Sequence, residues 1–172
     1  MQRTFWIVLS VAVLSAVVVF ATGCQKKTAT VGGSATCCGS CAAAGGEKHE
    51  AHHGGSLNAI ETCAVGHAEI KVVGKTLSCW LVGGENETGK AVRTADPAID
   101  LKVTADGGKT WSISLQAKPL ELAGEKVGDC SHFEATTDWL DGLKKFHAEG
   151  AVNFKGQKRA VKIDYPEGYD PD

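Results

Sequence analysis

The sequence predicts an all-β fold: a single antiparallel β-sandwich of immunoglobulin-like or similar topology, spanning residues 67–172 and preceded by a disordered tether. Three observations predict it. Apolar and polar residues alternate with period two in short runs after residue 67. Turn-forming pairs and triplets separate those runs, as in Gly74-Lys75 and Asp106-Gly107-Gly108. Aromatic residues, absent between Phe20 and Trp80, return in the same stretch. Alternation places every second side chain on one face of a strand, and several short strands at this spacing are the mark of a sandwich.

The strands follow in order. Residues 67–73 and 76–82 flank Gly74-Lys75 and read as a hairpin. Residues 98–104 and 110–117 form a second hairpin, and 119–122, 131–134, 147–154 and 159–165 read as further short strands. Residues 137–143 have room for one or two helical turns, with Thr136 or Thr137 as the cap. About 105 residues suffice for one hydrophobic core. Trp80, Trp111, Phe133, Trp139, Phe146 and Phe154 are its expected large members, and residues 165–172 make a turn-rich, frayed tail.

Thr104-Ala105-Asp106-Gly107-Gly108-Lys109-Thr110-Trp111 resembles the Asp-box of sialidase-type propellers. Its physical content is a hairpin turn in which a Gly takes positive φ and the Trp packs beneath. A propeller needs the motif once per blade, so one copy in so short a domain excludes that fold, and no sialidase chemistry follows.

The 172 residues carry 18 Lys and Arg against 20 Asp and Glu, a formal charge of −2. Such a balance lacks the clustered basic footprint of a nucleic-acid binder, and the length excludes a large multidomain enzyme. The N-terminal stretch has one early charge, Arg3, and then an uncharged apolar run over residues 5–21. It reads as a secretory signal. Ala21-Thr22-Gly23-Cys24 resembles the bacterial lipobox, with Ala21 where Leu or Val is more usual. The resemblance implies a signal peptide over residues 1–23, lipidation of Cys24, and a protein tethered to a membrane on its periplasmic side. Gln25 stands where inner-membrane retention would place Asp, so the outer membrane is expected.

Residues 24–66 are dominated by Gly, Ala, Ser, Thr, Lys and Glu, with scattered Cys and His. Such a composition buries too little apolar surface to offset its ordering entropy and predicts a flexible spacer. Two clusters within it have metal-ligating chemistry. Cys37-Cys38-Gly39-Ser40-Cys41 contains a C-x2-C pair suited to a soft ion, and His49, His52 and His53 offer three imidazoles within five residues. Cys37, Cys38, Cys41, His49, His52 and His53 are therefore the first candidate ligands, for copper or zinc. His49-Glu50-Ala51-His52-His53 also spells the zinc-protease H-E-x-x-H. That motif works on a helix, whereas glycine pairs bracket this one and no apolar stripe would dock it.

In the domain, Cys79 and Cys130 are the expected disulfide of an exported sandwich. The alternative is a second metal site in which Cys130 and His132 join Cys79 or His67. Cys63, at the boundary of the spacer, could pair with the tether cysteines. No nucleophile elbow, phosphate-binding loop or dinucleotide fingerprint occurs, and no catalytic residue is assigned.

Together with Cys79-Trp80, the stretch 118–133 is similar to an uncharacterised exported bacterial domain that sometimes accompanies heavy-metal efflux adaptors. The resemblance implies metal-related biology and a metal-efflux or other envelope protein as partner. The expectation is a lipid-anchored, non-enzymatic metal-binding protein whose tether chelates. The alternative is a non-catalytic envelope interaction module on a plain spacer.

Overall fold

The structure is a computed structural model and describes residues 49–171. Eight strands form one antiparallel sheet: β1 (Ser56–Ala59), β2 (Gly66–Val73), β3 (Thr76–Gly83), β4 (Ala98–Ala105), β5 (Thr110–Ala117), β6 (His132–Thr136), β7 (Phe146–Phe154) and β8 (Gln157–Tyr165). Their order across the sheet is β1-β2-β3-β6-β5-β4-β7-β8. Among the described residues, helical structure is limited to 3-10 turns at Glu85–Glu87, Glu121–Ala123 and Asp138–Leu140. No described helix is long and apolar enough to cross a membrane.

The all-β expectation holds, but the architecture is barrel-like rather than two stacked sheets. The first and last strands meet. Ile60, just past β1, bridges to Val161 of β8. The side chain of Asn58, fully buried on β1, completes the seam: its Oδ1 accepts from the amides of Asp164 and Tyr169 at 2.8 and 2.9 Å. Ala59 donates its own amide to the Tyr169 carbonyl at 2.8 Å. One side-chain amide thus satisfies backbone groups that a regular ladder leaves unpaired at the seam.

Alternation fills the barrel. Ala68 and Ile70 of β2, Leu77, Cys79 and Leu81 of β3, and Ile99, Leu101 and Val103 of β4 all point into one core. Phe133, Phe146 and Phe154 are fully buried there. Trp80, Trp111 and Trp139, also expected in the core, are only partly buried. Trp111 instead stacks on Trp139 at 4.7 Å, below the Asp-box hairpin that joins β4 to β5, in which Gly108 has φ of 77°.

Three further sequence expectations are corrected. Residues 119–122 make no strand, since Glu121–Ala123 winds into a 3-10 turn. The helical content of 137–143 shrinks to the turn Asp138–Leu140. Most consequentially, the folded body begins before residue 67. β1 is fully buried, and residues 49–55 lie as a strap over β2 and β3, where Ala51 packs with Leu57, Val82 and Trp80. The sequence hid this because β1 is four residues long and half polar, Ser56-Leu57-Asn58-Ala59. Its burial comes from the strap and from the Asn58 network rather than from its own hydrophobicity.

Candidate metal centre

The strap covers the face of β2 that points away from the core. His67 and Glu69 are two residues apart on that face, and both are fully buried. Glu69 fixes the strap: its carboxylate accepts from the amides of His52, His53 and Gly55 at 3.1, 2.7 and 2.9 Å, and from His53 Nδ1 at 2.8 Å. Gly55 must be glycine, because a Cβ there would sit 2.3 Å from the Ile70 carbonyl oxygen. With the strap so anchored, His49 falls over His67.

His49, Cys63 and His67 converge, one ligand atom from each lying within 4.8 Å of the others. His49 Nδ1 and His67 Nε2 are 3.3 Å apart. His67 Nδ1 lies 3.2 Å from the Gly83 carbonyl, which can only accept, so Nδ1 carries the proton and Nε2 presents its lone pair to the cluster. Such a backbone carbonyl behind an imidazole is the usual device for orienting a metal-ligating histidine. Burial is the largest influence on His67 and holds its pKa below the ordinary imidazole value, so protons compete less for that lone pair.

Cys63 sits in the loop between β1 and β2, and that loop is tied on every side. Ile60 closes it by donating to Gly66 O at 2.9 Å, and Glu85 donates to the Cys63 carbonyl at 3.1 Å. Arg159 of β8 pairs with Glu61, and Lys155 Nζ donates to Val65 O at 2.9 Å. Gly84 packs so closely beneath the loop that a Cβ would meet the Ala64 carbonyl oxygen at 2.2 Å. The Cys63 thiol itself donates to Asp170 Oδ1 at 3.4 Å.

Of the predicted ligands, the structure places His49 in this cluster and excludes His52 and His53 from it. His53 stacks face-on against Trp80 at 4.4 Å, and Trp80 stacks in turn on His132 at 4.6 Å, with all three rings nearly parallel. Stacked rings direct their lone pairs sideways rather than at each other, so this trio is packing. Cys24, Cys37, Cys38 and Cys41 lie outside the described residues.

The expected Cys79–Cys130 disulfide does not form, and both residues are thiols. Register explains it. Trp80 faces His132 and Leu81 bonds Ser131, so Cys130 is level with Val82, three residues from Cys79. Three residues of strand are about 10 Å, beyond the roughly 7 Å between Cα atoms that a disulfide tolerates. Cys79 points into the barrel, where burial pushes its thiol up to about 12. Cys130 donates instead to the His132 carbonyl at 3.0 Å.

The second predicted metal site fails on the same geometry. Cys79 pairs with Phe133 on the inner face of the sheet, while His132 pairs with Trp80 on the outer face, and His67 is engaged with His49. His147, read as structural, pairs across strands with Asp164 on the exterior. Cys63 is the candidate ligand that sequence reading missed. Its only signal is its position four residues before His67, a C-x3-H spacing across a turn.

Comparison with family models, with curated proteins and with solved structures finds no match to this chain.

Proposed function

We propose that this chain is a lipid-anchored, non-enzymatic protein of the bacterial envelope, facing the periplasm, that captures a transition-metal ion, copper or zinc, in metal homeostasis. The observation that carries the reading is the convergence of His49, Cys63 and His67 within 4.8 Å, in the one described place where imidazole and thiol groups gather. A cluster of two imidazoles and one thiol, two of its three members buried and one imidazole already oriented by a carbonyl, is chemistry suited to copper or zinc. Attachment at Cys24, and a supporting role for Cys37, Cys38 and Cys41 ahead of the folded site, rest on sequence pattern.

The test is equilibrium titration of Cu(I) and Zn(II) into the full chain, kept reduced. It is repeated with a Cys63→Ala/His67→Ala variant and with a Cys37→Ser/Cys38→Ser/Cys41→Ser variant. The tight equivalent should disappear in the first variant and persist in the second. Unchanged tight binding in the first variant would remove the folded site, and no binding by any form would remove the reading altogether.

A second reading, a non-catalytic interaction module, draws on the loop between β5 and β6. Leu122 is fully exposed there, with Leu120 and Val127 also exposed on the same loop. Exposed apolar side chains gathered on one loop suit a protein contact.

A further inference from the structure

We infer that Asp170 is the fourth ligand of the metal centre, making a closed tetrahedron of two histidines, one cysteine and one aspartate that selects Zn(II) and clasps the barrel seam. The inference rests on the metal-binding reading above and deepens it.

Three corners of a tetrahedron are grouped, and Asp170 is hydrogen-bonded to one of them. Zinc holds imidazole nitrogen at about 2.0–2.1 Å, thiolate sulfur at about 2.3 Å and carboxylate oxygen at about 2.0–2.2 Å. At the tetrahedral angle these lengths place two nitrogens about 3.3 Å apart, and a sulfur and an oxygen about 3.6 Å apart. The structure has His49 Nδ1 and His67 Nε2 at 3.3 Å, and Cys63 Sγ and Asp170 Oδ1 at 3.4 Å. The first pair lies inside the His49, Cys63 and His67 cluster; Asp170 stands outside that cluster's 4.8 Å limit and is joined to it through Cys63, so its carboxylate turns toward the histidines as the ion binds. The cross edges, nitrogen to sulfur, should be about 3.6 Å. The limit of 4.8 Å on the mutual separations among His49, Cys63 and His67 leaves at most about 1 Å of contraction on binding.

Donor chemistry chooses the ion. Cu(I) favours thiolate and thioether, and a blue-copper site pairs two His and one Cys with a weak, neutral axial group. A carboxylate is a hard, charged donor, and with two imidazoles and one thiolate it makes a set for borderline Zn(II). Cys63 and Asp170 supply two negative charges when ligating, which neutralise the dication. Binding replaces the Cys63 thiol hydrogen bond to Asp170 with one zinc–sulfur and one zinc–oxygen bond, and the thiol proton leaves to solvent.

Position gives the site its consequence. Three ligands come from one side of the seam: His49 from the strap, Cys63 from the loop after β1, and His67 from β2. Asp170 comes from the other, in the tail after β8 that Asn58 and Ala59 hold against β1 through Tyr169. A zinc ion at the centre ties the two ends of the sheet together. Four protein ligands leave no open position for a substrate, so the site holds metal rather than using it.

The test uses Co(II) as a spectroscopic substitute and Zn(II) in competition. The protein is the full chain in detergent with Cys37→Ser, Cys38→Ser and Cys41→Ser, so that Cys63 provides the thiolate charge-transfer band. The parent should show the intense visible absorption of four-coordinate cobalt with one thiolate, and zinc should raise its Tm. Asp170→Ala should weaken Zn(II) binding by about 100-fold, the upper end for loss of even a group supporting a ligand, and should alter the cobalt bands. Asp170→Cys should restore four-coordination and roughly double the thiolate charge-transfer intensity, in proportion to the thiolates bound. Rescue of this kind separates a ligand from a residue that only steadies the tail. An Asp170→Ala variant with the parent's spectrum and affinity would overturn the inference and leave the three-ligand reading standing. A parent with neither cobalt spectrum nor zinc binding would overturn both.

Discussion

Two groups of histidines are built where the strap meets the sheet, and they differ in what their rings present. At one end, His49 meets His67 edge to face, their ring planes at 78°, with a nitrogen of each ring and the Cys63 thiol within 4.8 Å of one another. At the other end, His53 and His132 lie flat on the two faces of Trp80, within 2° of parallel. Residue type does not separate the two groups, since both are built from imidazoles brought together from the strap and the sheet. Register does. His67 stands opposite Val82 on β3, a small neighbour that leaves its ring edge open, whereas Trp80 stands opposite both Glu69 and His132 and offers a flat surface to each imidazole. An imidazole edge left open by its neighbours is available to a ligand, and one whose face is claimed by an aromatic ring is packing material.

The largest effects should break this contrast outright if it is mistaken. Replacing Cys63 or His67 by Ala should lower Zn(II) affinity by about 100-fold in a competition titration. His53→Ala should change it by less than about threefold, under 1 kcal/mol. Equal losses at His53 and His67 would mean that the two groups are one site.

Glu69 joins the groups, and its loss should be felt in both. Its carboxylate is wholly buried and satisfies four donors of the strap, so Glu69→Ala should cost about 3 kcal/mol in denaturant unfolding. Although Glu69 touches no ligand atom of the cluster, metal affinity should also fall by about tenfold, roughly 1.4 kcal/mol, as His49 loses its anchorage. Stability lost with affinity intact would show that His49 does not depend on the strap.

Trp80→Ala should act the other way round. Removing a half-buried indole with an imidazole on each face should cost about 2–3 kcal/mol, below the range for a fully buried Trp, with metal affinity unchanged. A metal-binding defect in this variant would place Trp80 within the site.

The smallest effect is a pH dependence. Burial is the main cause of a lowered pKa at His132, opposed by the carboxylates of Glu134 and Glu125 and by the backbone of Lys118, and reinforced by His53. Neither ring nitrogen of His132 makes a hydrogen bond, although Nε2 lies 3.4 Å from Glu134 Oε1 outside bonding geometry. A histidine whose folded pKa lies below its unfolded value of 6.5 binds more protons when unfolded. The stability it contributes is therefore complete above pH 6.5 and is lost as pH falls from there through the folded pKa. Unfolding free energy measured in metal-free buffer should decline over that window, and the decline should flatten in His132→Phe, which keeps the stack without the proton.

Much of the fold was legible because period-two alternation is a local property. β2, β3, β4, β5, β7 and β8 lie where alternation and turn residues put them, and the Asp-box hairpin sits between β4 and β5 as its sequence requires. What escaped were elements whose burial is imposed from outside. β1 is short and half polar, and the strap is rich in Gly and His, so neither carries a hydrophobic period of its own. Alternation alone gives no sign that Glu69 is buried, and only the strap's amides make it a buried anchor.

The sequence by itself determined that this chain is all-β, that its core is filled by one face of alternating strands, and that its imidazoles and thiols cluster before and around the first hairpin. The tertiary structure alone decided which of them meet. His49, Cys63 and His67 come from a strap, a loop and a strand, and Asp170 of the tail reaches Cys63 only when the last strand closes on the first. The physical reason is one of range. Alternation and turn chemistry act between near neighbours along the chain, whereas a ligand set is fixed by sheet register and barrel closure, which are settled between residues far apart in sequence.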